Sequence, residues 1–186
     1  MLGMAAAKAG YRTLVLEPQA DCPAAATCGA QITAAYDDAD ALRDLADRVD
    51  VVTYEFENVP AASLDLIESL APIRPNRRAL SVSQDRLDEK DFLSGLGLTT
   101  APYARVESAE DLVAAMGGQD RAILKTRRFG YDGKGQVRIG AGDDLASAWA
   151  LVNAPAVLEG FVDFTAEISV IVARGQDGAV AAFDPG

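Results

Sequence analysis

Helical and strand-like segments alternate through the first third of the chain, and this alternation limits the fold more than any other feature. "MLGMAAAKAG" reads as an alanine-rich helix closed by Gly10, and "YRTLVLEP" as the strand after it, followed by a loop rich in Pro and Ala. In "DADALRDLADRV", Leu42, Leu45, Ala46 and Val49 fall at helical spacing. "DVVTYEF" then reads as a buried strand and "AASLDLIESLA" as a further helix. Such an order builds a parallel sheet covered by helices, so the expected class is α/β, with a partial Rossmann-like domain over residues 1–83. A doubly wound unit normally starts with a central strand whose turn into the first helix carries glycines for a phosphate. Here the first element is a helix, which leads to the expectation that the chain starts inside the first βα unit.

From about residue 84 the pattern changes. "QDRLDEKDFLSGLG" reads as a helix ending near Gly95 or Gly97, and "TTAPYARV" leads into a short strand. Ser108 with Asp111 forms an approximate capping box for the next helix. "AILK" is a strand feeding the segment "KTRRFGYDGKGQ", "GQVRIG" is the strand leaving it, and Asp143 is the expected cap of a helix around Trp149. "AVLEGF", "AEISVIVARG" and "AVAAF" read as closing strands, with "RGQDG" as a hairpin turn. Residues 84–186 are thus expected to form a small α+β unit in which a glycine loop joins two strands.

Composition excludes several functions. A net charge of −11 argues against nucleic acid or an anionic membrane surface as the main partner. No histidine occurs, which removes histidine triads, histidine metal sites and imidazole proton shuttles. The spacing of Cys22 and Cys28 fits neither a zinc ribbon nor a redox CxxC, and reduced thiols in a cytoplasmic protein are expected. No signal peptide or stretch of membrane-spanning length is seen.

Against that acidic background, residues 125–136 place four basic side chains, Lys125, Arg127, Arg128 and Lys134, among three glycines. Glycine backbone N–H groups can approach phosphate oxygens closely while the cations supply countercharge, so the segment suits a polyphosphate. It matches neither a Walker A loop nor GxGxxG, and a solvated hairpin with basic decoration reads the same residues equally well. In "VLEGFVDFTAE", Glu159 and Glu167 could meet an adenine edge and a ribose or metal, or could be surface charges. In "TYEFENVP", Glu55 and Glu57 end a strand at the edge where open α/β sheets bind ligands, or are ordinary strand-end polar residues.

Taken together, "DVVTYEFENVP", "QDRLDEKDFLSGLGLTTAPY", "LKTRRFGYDGKGQ" and "VLEGFVDFTAEISVIVARGQDG" closely resemble the ATP-grasp N5-carboxyaminoimidazole ribonucleotide synthases, the ATPase subunit of phosphoribosylaminoimidazole carboxylase. The resemblance runs essentially from Met1 to the last residues. It implies a ligase of purine biosynthesis, usually a homodimer, in which ATP and Mg²⁺ convert bicarbonate to carboxyphosphate and the amine of 5-aminoimidazole ribonucleotide takes up the carboxylate. It implies that Arg86 and Lys125 contact phosphates, and that Gly130, Tyr131, Asp132, Gly133, Lys134, Gly135 and Gln136 fold over them. Glu159, Gly160, Phe161 and Val162 would hold adenine largely through backbone groups, and Glu167 the ribose hydroxyls. Glu57, Tyr131 and Arg128 or Lys134 would lie toward the aminoimidazole ribonucleotide. Phosphoryl transfer relies on positioning and charge neutralisation, which needs no histidine.

The chain departs from that family at both ends. Relative to it, the first strand and its GGGQLGRM turn are missing, as is a large C-terminal subdomain whose acidic and Asn side chains hold the metal. No metal ligand or certain catalytic residue is therefore expected within residues 1–186. The expectation is an inactive piece: the pre-ATP-grasp domain (1–83) without its first strand, and the small ATP-grasp lid (84–186), with apolar surface left open to self-association. Another ATP-grasp ligase with a different amine acceptor, or a non-catalytic nucleotide-binding module, fits the same residues.

Overall fold

The structure, a computed structural model, describes residues 1–130 and 133–186. Helix α1 (Leu2–Lys8) opens the chain, and Gly10 turns it out of the helix at φ +85°, a conformation that glycine adopts without strain. β1 (Leu14–Leu16) pairs in parallel with β2 (Ala30–Ile32), which forms inside the stretch expected to be loop. α2 (Ala39–Asp47) starts where Asp38 accepts the N–H groups of Asp40 and Ala41, both at 3.0 Å. α3 (Ala61–Glu68) and α4 (Arg77–Ser83) follow.

The buried strand expected over 50–56 does not form. Only Val52 bridges in parallel to Ile73, donating to the Pro72 carbonyl at 2.8 Å and accepting from the Arg74 N–H at 2.9 Å. Val51 and Phe56 are half exposed, and Val52 and the partly buried Tyr54 face the cluster, but only Val52 finds a backbone partner, so no longer ladder forms. Leu42, Leu45, Leu64, Ile67, Ile73 and Leu80 pack into one cluster against β1 and β2. At its edge the Tyr36 hydroxyl donates to the Glu17 carboxylate, and burial together with that carboxylate pushes the phenol up to about 12.

α5 (Arg86–Gly95) begins at Asp85, whose carboxylate accepts the Leu87 N–H at 3.0 Å. β3 (Tyr103–Val106), α6 (Ala109–Met116), β4 (Arg121–Thr126), β5 (Gln136–Gly140), α7 (Leu145–Val152) and β6 (Ala156–Gly160) come next. Ser108 caps α6 by accepting the Asp111 N–H at 3.1 Å, whereas the helix around Trp149 is capped by Asp144, not Asp143. Asp143 instead accepts the Gly140 N–H at 2.8 Å, closing the turn one residue earlier.

The four strands form an antiparallel sheet in the order β3-β6-β4-β5. Alternation of side chains gives the sheet two different faces. Val106, Ala122, Leu124, Ala156 and Leu158 point into a second cluster with Leu112, Met116 and Ala148 of α6 and α7. Burying each of the large ones contributes on the order of 1.5–3 kcal/mol. The intervening residues Tyr103, Ile123, Lys125, Val157 and Glu159 therefore share the other face.

β7 (Val172–Arg174) and β8 (Val180–Ala182) form a two-stranded antiparallel hairpin. The strand expected over 166–175 is confined to three residues, and Ile168, Ile171, Val172, Val180 and Phe183 are exposed. A two-stranded ladder with no layer behind it has no apolar partner to extend its pairing. Among the described residues, no helix is long and apolar enough to cross a membrane.

Candidate functional site

β4 carries Lys125 next to its C-terminal end, and the strand runs directly into the glycine loop. The Thr126 N–H donates to the Gly135 carbonyl at 2.8 Å, which pins the far side of the loop back onto the strand. Gly135 lies at φ +68°, and a Cβ there would come within 2.6 Å of Thr126 Oγ1. A glycine is required by both conformation and space. The near side of the loop is held by α5: Arg86 Nη2 donates to the Gly130 carbonyl at 2.7 Å. Tyr131 and Asp132, expected over the phosphates and, for Tyr131, toward the ribonucleotide, lie outside the described residues.

An open cleft of about 780 Å³ lies beside this loop, lined by Lys125, Gly133, Gln136, Phe164, Ala166, Glu167 and Ile168. Residues 42 positions apart, Lys125 and Glu167, thus face one space. Four of the lining residues were expected from the sequence; Phe164, Ala166 and Ile168 were not, because apolar residues in a loop carry no distinguishing signal. Another hollow, of about 430 Å³ over Glu68–Arg74, contains none of the expected residues.

Arg86 and Glu159 stand apart from the cleft lining and have partners of their own. Lys125 Nζ donates to Glu159 Oε2 at 2.8 Å, and Lys90 Nζ lies 3.4 Å from Glu159 Oε1. Strand register explains the first contact, since Lys125 on β4 is diagonal to Glu159 on β6. Helical spacing explains the second: Lys90 is one turn beyond Arg86 on α5, so both face the lid sheet. Lys90 was not among the expected residues; its i,i+4 spacing from Arg86 was the available signal.

The segment expected to hold adenine through its backbone uses part of that backbone internally. The Gly160 N–H donates to the Pro102 carbonyl at 2.8 Å and the Phe161 N–H to the Arg121 carbonyl at 3.3 Å. The Phe161 ring sits 4.4 Å from the Arg121 guanidinium, and Val162 is half exposed.

Of the four cations in the basic segment, Arg127 does not serve as open countercharge. Its Nε donates to both Asp85 oxygens, at 2.9 and 3.0 Å, and its Nη2 lies 2.8 Å from Oδ2. Burial would raise the Asp85 carboxyl, but the Arg127 guanidinium and the Leu87 and Asp88 N–H groups outweigh it and hold Asp85 below its ordinary value. The same contact holds Arg127 protonated above its ordinary range. Arg128 points elsewhere, donating to Gln84 Oε1 at 2.9 Å. Gln84 in turn donates to the carbonyls of Glu57 and Val59, both at 2.6 Å. One buried amide therefore brings together Glu57 and Arg128, two residues expected to face the ribonucleotide. Lys134 is exposed on the loop.

Among the described residues, no group of three His, Cys, Asp or Glu side chains is placed to hold a metal ion.

Comparison with known proteins places this geometry. The ribonucleotide synthetase preATP-grasp domain matches residues 1–84, and the ATP-grasp domain matches residues 91–186. The chain is similar to the N5-carboxyaminoimidazole ribonucleotide synthase of Brucella melitensis, 54% identical over 99% of this chain and 52% of that protein. The protein of the same name from Pseudomonas aeruginosa is 42% identical over 96% of this chain and 50% of its own length. The crystal structure of N5-carboxyaminoimidazole synthetase from Staphylococcus aureus complexed with ADP superposes with a TM-score of 0.94, at 36% identity, covering 100% of this chain and 50% of that one. The chain spans about half the length of the curated relatives it matches. Because the second domain match alone takes in 96 of the 186 residues, and the relatives agree with it, this chain belongs to the ATP-grasp family.

Proposed function

We propose that the chain supplies part of the ATP site and part of the ribonucleotide site of an N5-carboxyaminoimidazole ribonucleotide synthase, a cytoplasmic ligase of purine biosynthesis. The observation that carries this reading is the single cleft shared by Lys125, Gly133, Gln136 and Glu167. In that cleft Lys125 neutralises phosphate charge, the glycine loop supplies backbone N–H groups over the phosphates, and Glu167 accepts from ribose hydroxyls. Arg86 holds the loop and the neighbouring phosphate side together. Glu57 and Arg128, joined through Gln84, face 5-aminoimidazole ribonucleotide, whose amine takes up the carboxylate that ATP activates on bicarbonate. Tyr131 and Lys134 belong to the same loop and to the same proposed roles. The whole enzyme acts as a homodimer with Mg²⁺.

A non-catalytic nucleotide-binding module is the second reading, favoured by the absence of a metal-holding cluster among the described residues. Titration of ATP by calorimetry separates both from a merely decorated hairpin. Lys125→Ala is expected to weaken ATP binding by about 1–3 kcal/mol, and unchanged affinity overturns the phosphate role. In the whole enzyme, phosphate release that depends on both 5-aminoimidazole ribonucleotide and bicarbonate favours the ligase; binding without release favours the module.

A further inference from the structure

We propose that Lys90 is a positioning residue that keeps Glu159 paired while Lys125 leaves it for the nucleotide, so that the Lys125–Glu159 contact works as an exchangeable latch. The inference rests on the nucleotide reading above. It starts from a charge imbalance: two lysines converge on one carboxylate, Lys125 at 2.8 Å and Lys90 at 3.4 Å, each on a different oxygen. All three side chains are largely shielded, at 21%, 14% and 12% exposure for Lys125, Lys90 and Glu159. Arg86, one turn before Lys90, donates to the Gly130 carbonyl and adds further positive charge.

This arrangement has a direct consequence for an incoming polyphosphate. Its several negative charges outcompete a single carboxylate for Lys125, which already lines the cleft. If Lys125 were the only partner of Glu159, its departure would strand a shielded carboxylate, a state that is strongly unfavourable. Lys90 removes that penalty because it holds the other oxygen. Lys90 is itself fixed, with Nζ 5.4 Å from the centre of the Tyr103 ring, and Tyr103 is tied by its hydroxyl to Asp91 of the same helix at 2.7 Å. The carboxylate therefore exchanges one cation and keeps its place.

The test uses ATP as probe, titrated by calorimetry into the whole enzyme that carries these residues. Lys90→Met is expected to lower ATP affinity roughly five- to tenfold. Lys90→Arg, which keeps the charge, is expected to recover most of that loss, and so is Lys90→Met combined with Glu159→Gln, which leaves no carboxylate to strand. Wild-type affinity in Lys90→Met overturns the proposal. Failure of Glu159→Gln to rescue also overturns it, because Lys90 would then be acting on the nucleotide itself. No ATP binding by the wild type overturns the nucleotide reading as well, an outcome visible before any substitution is made. Thermal unfolding without nucleotide supplies a second measurement: removing both lysines is expected to lower Tm by more than the two single changes summed, and additive losses overturn the shared carboxylate.

Discussion

At the start of helix α5, Asp85 meets the Arg127 guanidinium, with the helix N–H groups completing the carboxylate's partners and with Asp88 and Glu107 farther from the guanidinium at 3.5 and 3.8 Å. One turn further on, Lys90 and Lys125 share the single carboxylate of Glu159. Both groups join α5 to the lid sheet, and both are shielded from water. They differ in whether any partner can leave. Among the described residues, Arg127 is the one cation paired with Asp85, so this contact anchors the start of α5 to the segment after β4. Glu159 has two, so one can be given up. Basic residues two positions apart, Lys125 on β4 and Arg127 just beyond its end, thus take opposite roles, Arg127 structural and Lys125 open to exchange.

The largest test of this contrast is Asp85→Ala. It removes the nearest carboxylate of a shielded guanidinium, leaving Asp88 and Glu107 at 3.5 and 3.8 Å, and it removes the α5 cap; it is expected to lower unfolding free energy by about 2–5 kcal/mol, measured by denaturant titration. A loss no greater than that of Lys125→Met would erase the distinction between anchor and latch.

The same pair sets an acid dependence. Asp85 is held below its ordinary 3.8 in the folded state, so its contribution is present above that value and is lost as pH falls through the lower, folded one. Melting curves taken through that range should fall more steeply for the wild type than for Asp85→Asn. Parallel curves would remove Asp85 from the anchor.

Gly135→Ala examines the loop that the anchor holds. A Cβ at φ +68° beside Thr126 is expected to destabilise by on the order of 1–3 kcal/mol and to weaken ATP binding with it. Unaltered nucleotide affinity in a destabilised protein would uncouple the loop from the cleft.

Arg128→Ala should have the smallest effect on stability, about 1 kcal/mol or less, because the side chain is exposed, donates to Gln84 and otherwise lies loosely over the exposed Phe129 ring at 5.9 Å. Its expected consequence is on 5-aminoimidazole ribonucleotide affinity, read by calorimetry. A stability loss as large as that of Asp85→Ala would make Arg128 a second anchor.

Much of the architecture was legible because its signals are local. Asp38 and Ser108 cap helices within three residues of themselves, and Leu42, Leu45 and Ala46 recur on one helical face, so α2 and α6 could be read directly. β4, β5 and β6 were legible from short apolar runs bounded by turns. The run at 50–56 looked equally apolar yet makes only one bridge, because strand formation depends on a neighbour that lies elsewhere in the chain. The same reason confines β7 to three residues. Asp143 and Asp144 are adjacent and chemically identical, and only the geometry of the preceding turn selects Asp144 as the cap. In the site, Lys125, Gly133, Gln136 and Glu167 were expected and meet in one cleft, whereas Lys90 and Gln84 were overlooked as ordinary polar residues of the helical stretch around α5.

Local sequence therefore decided most of the helices, α4 (Arg77–Ser83) being the one not read from it, where the glycine loop lies, and that a cluster of cations surrounds it. The tertiary structure decided which cation does what. Arg127 meets Asp85 across 42 positions and Lys125 meets Glu159 across 34, and neither distance leaves a periodic trace in the chain. A cap or a turn is settled by groups within hydrogen-bond reach along the backbone, while the partner of a charge is settled by strand register and by which face of the sheet a helix covers.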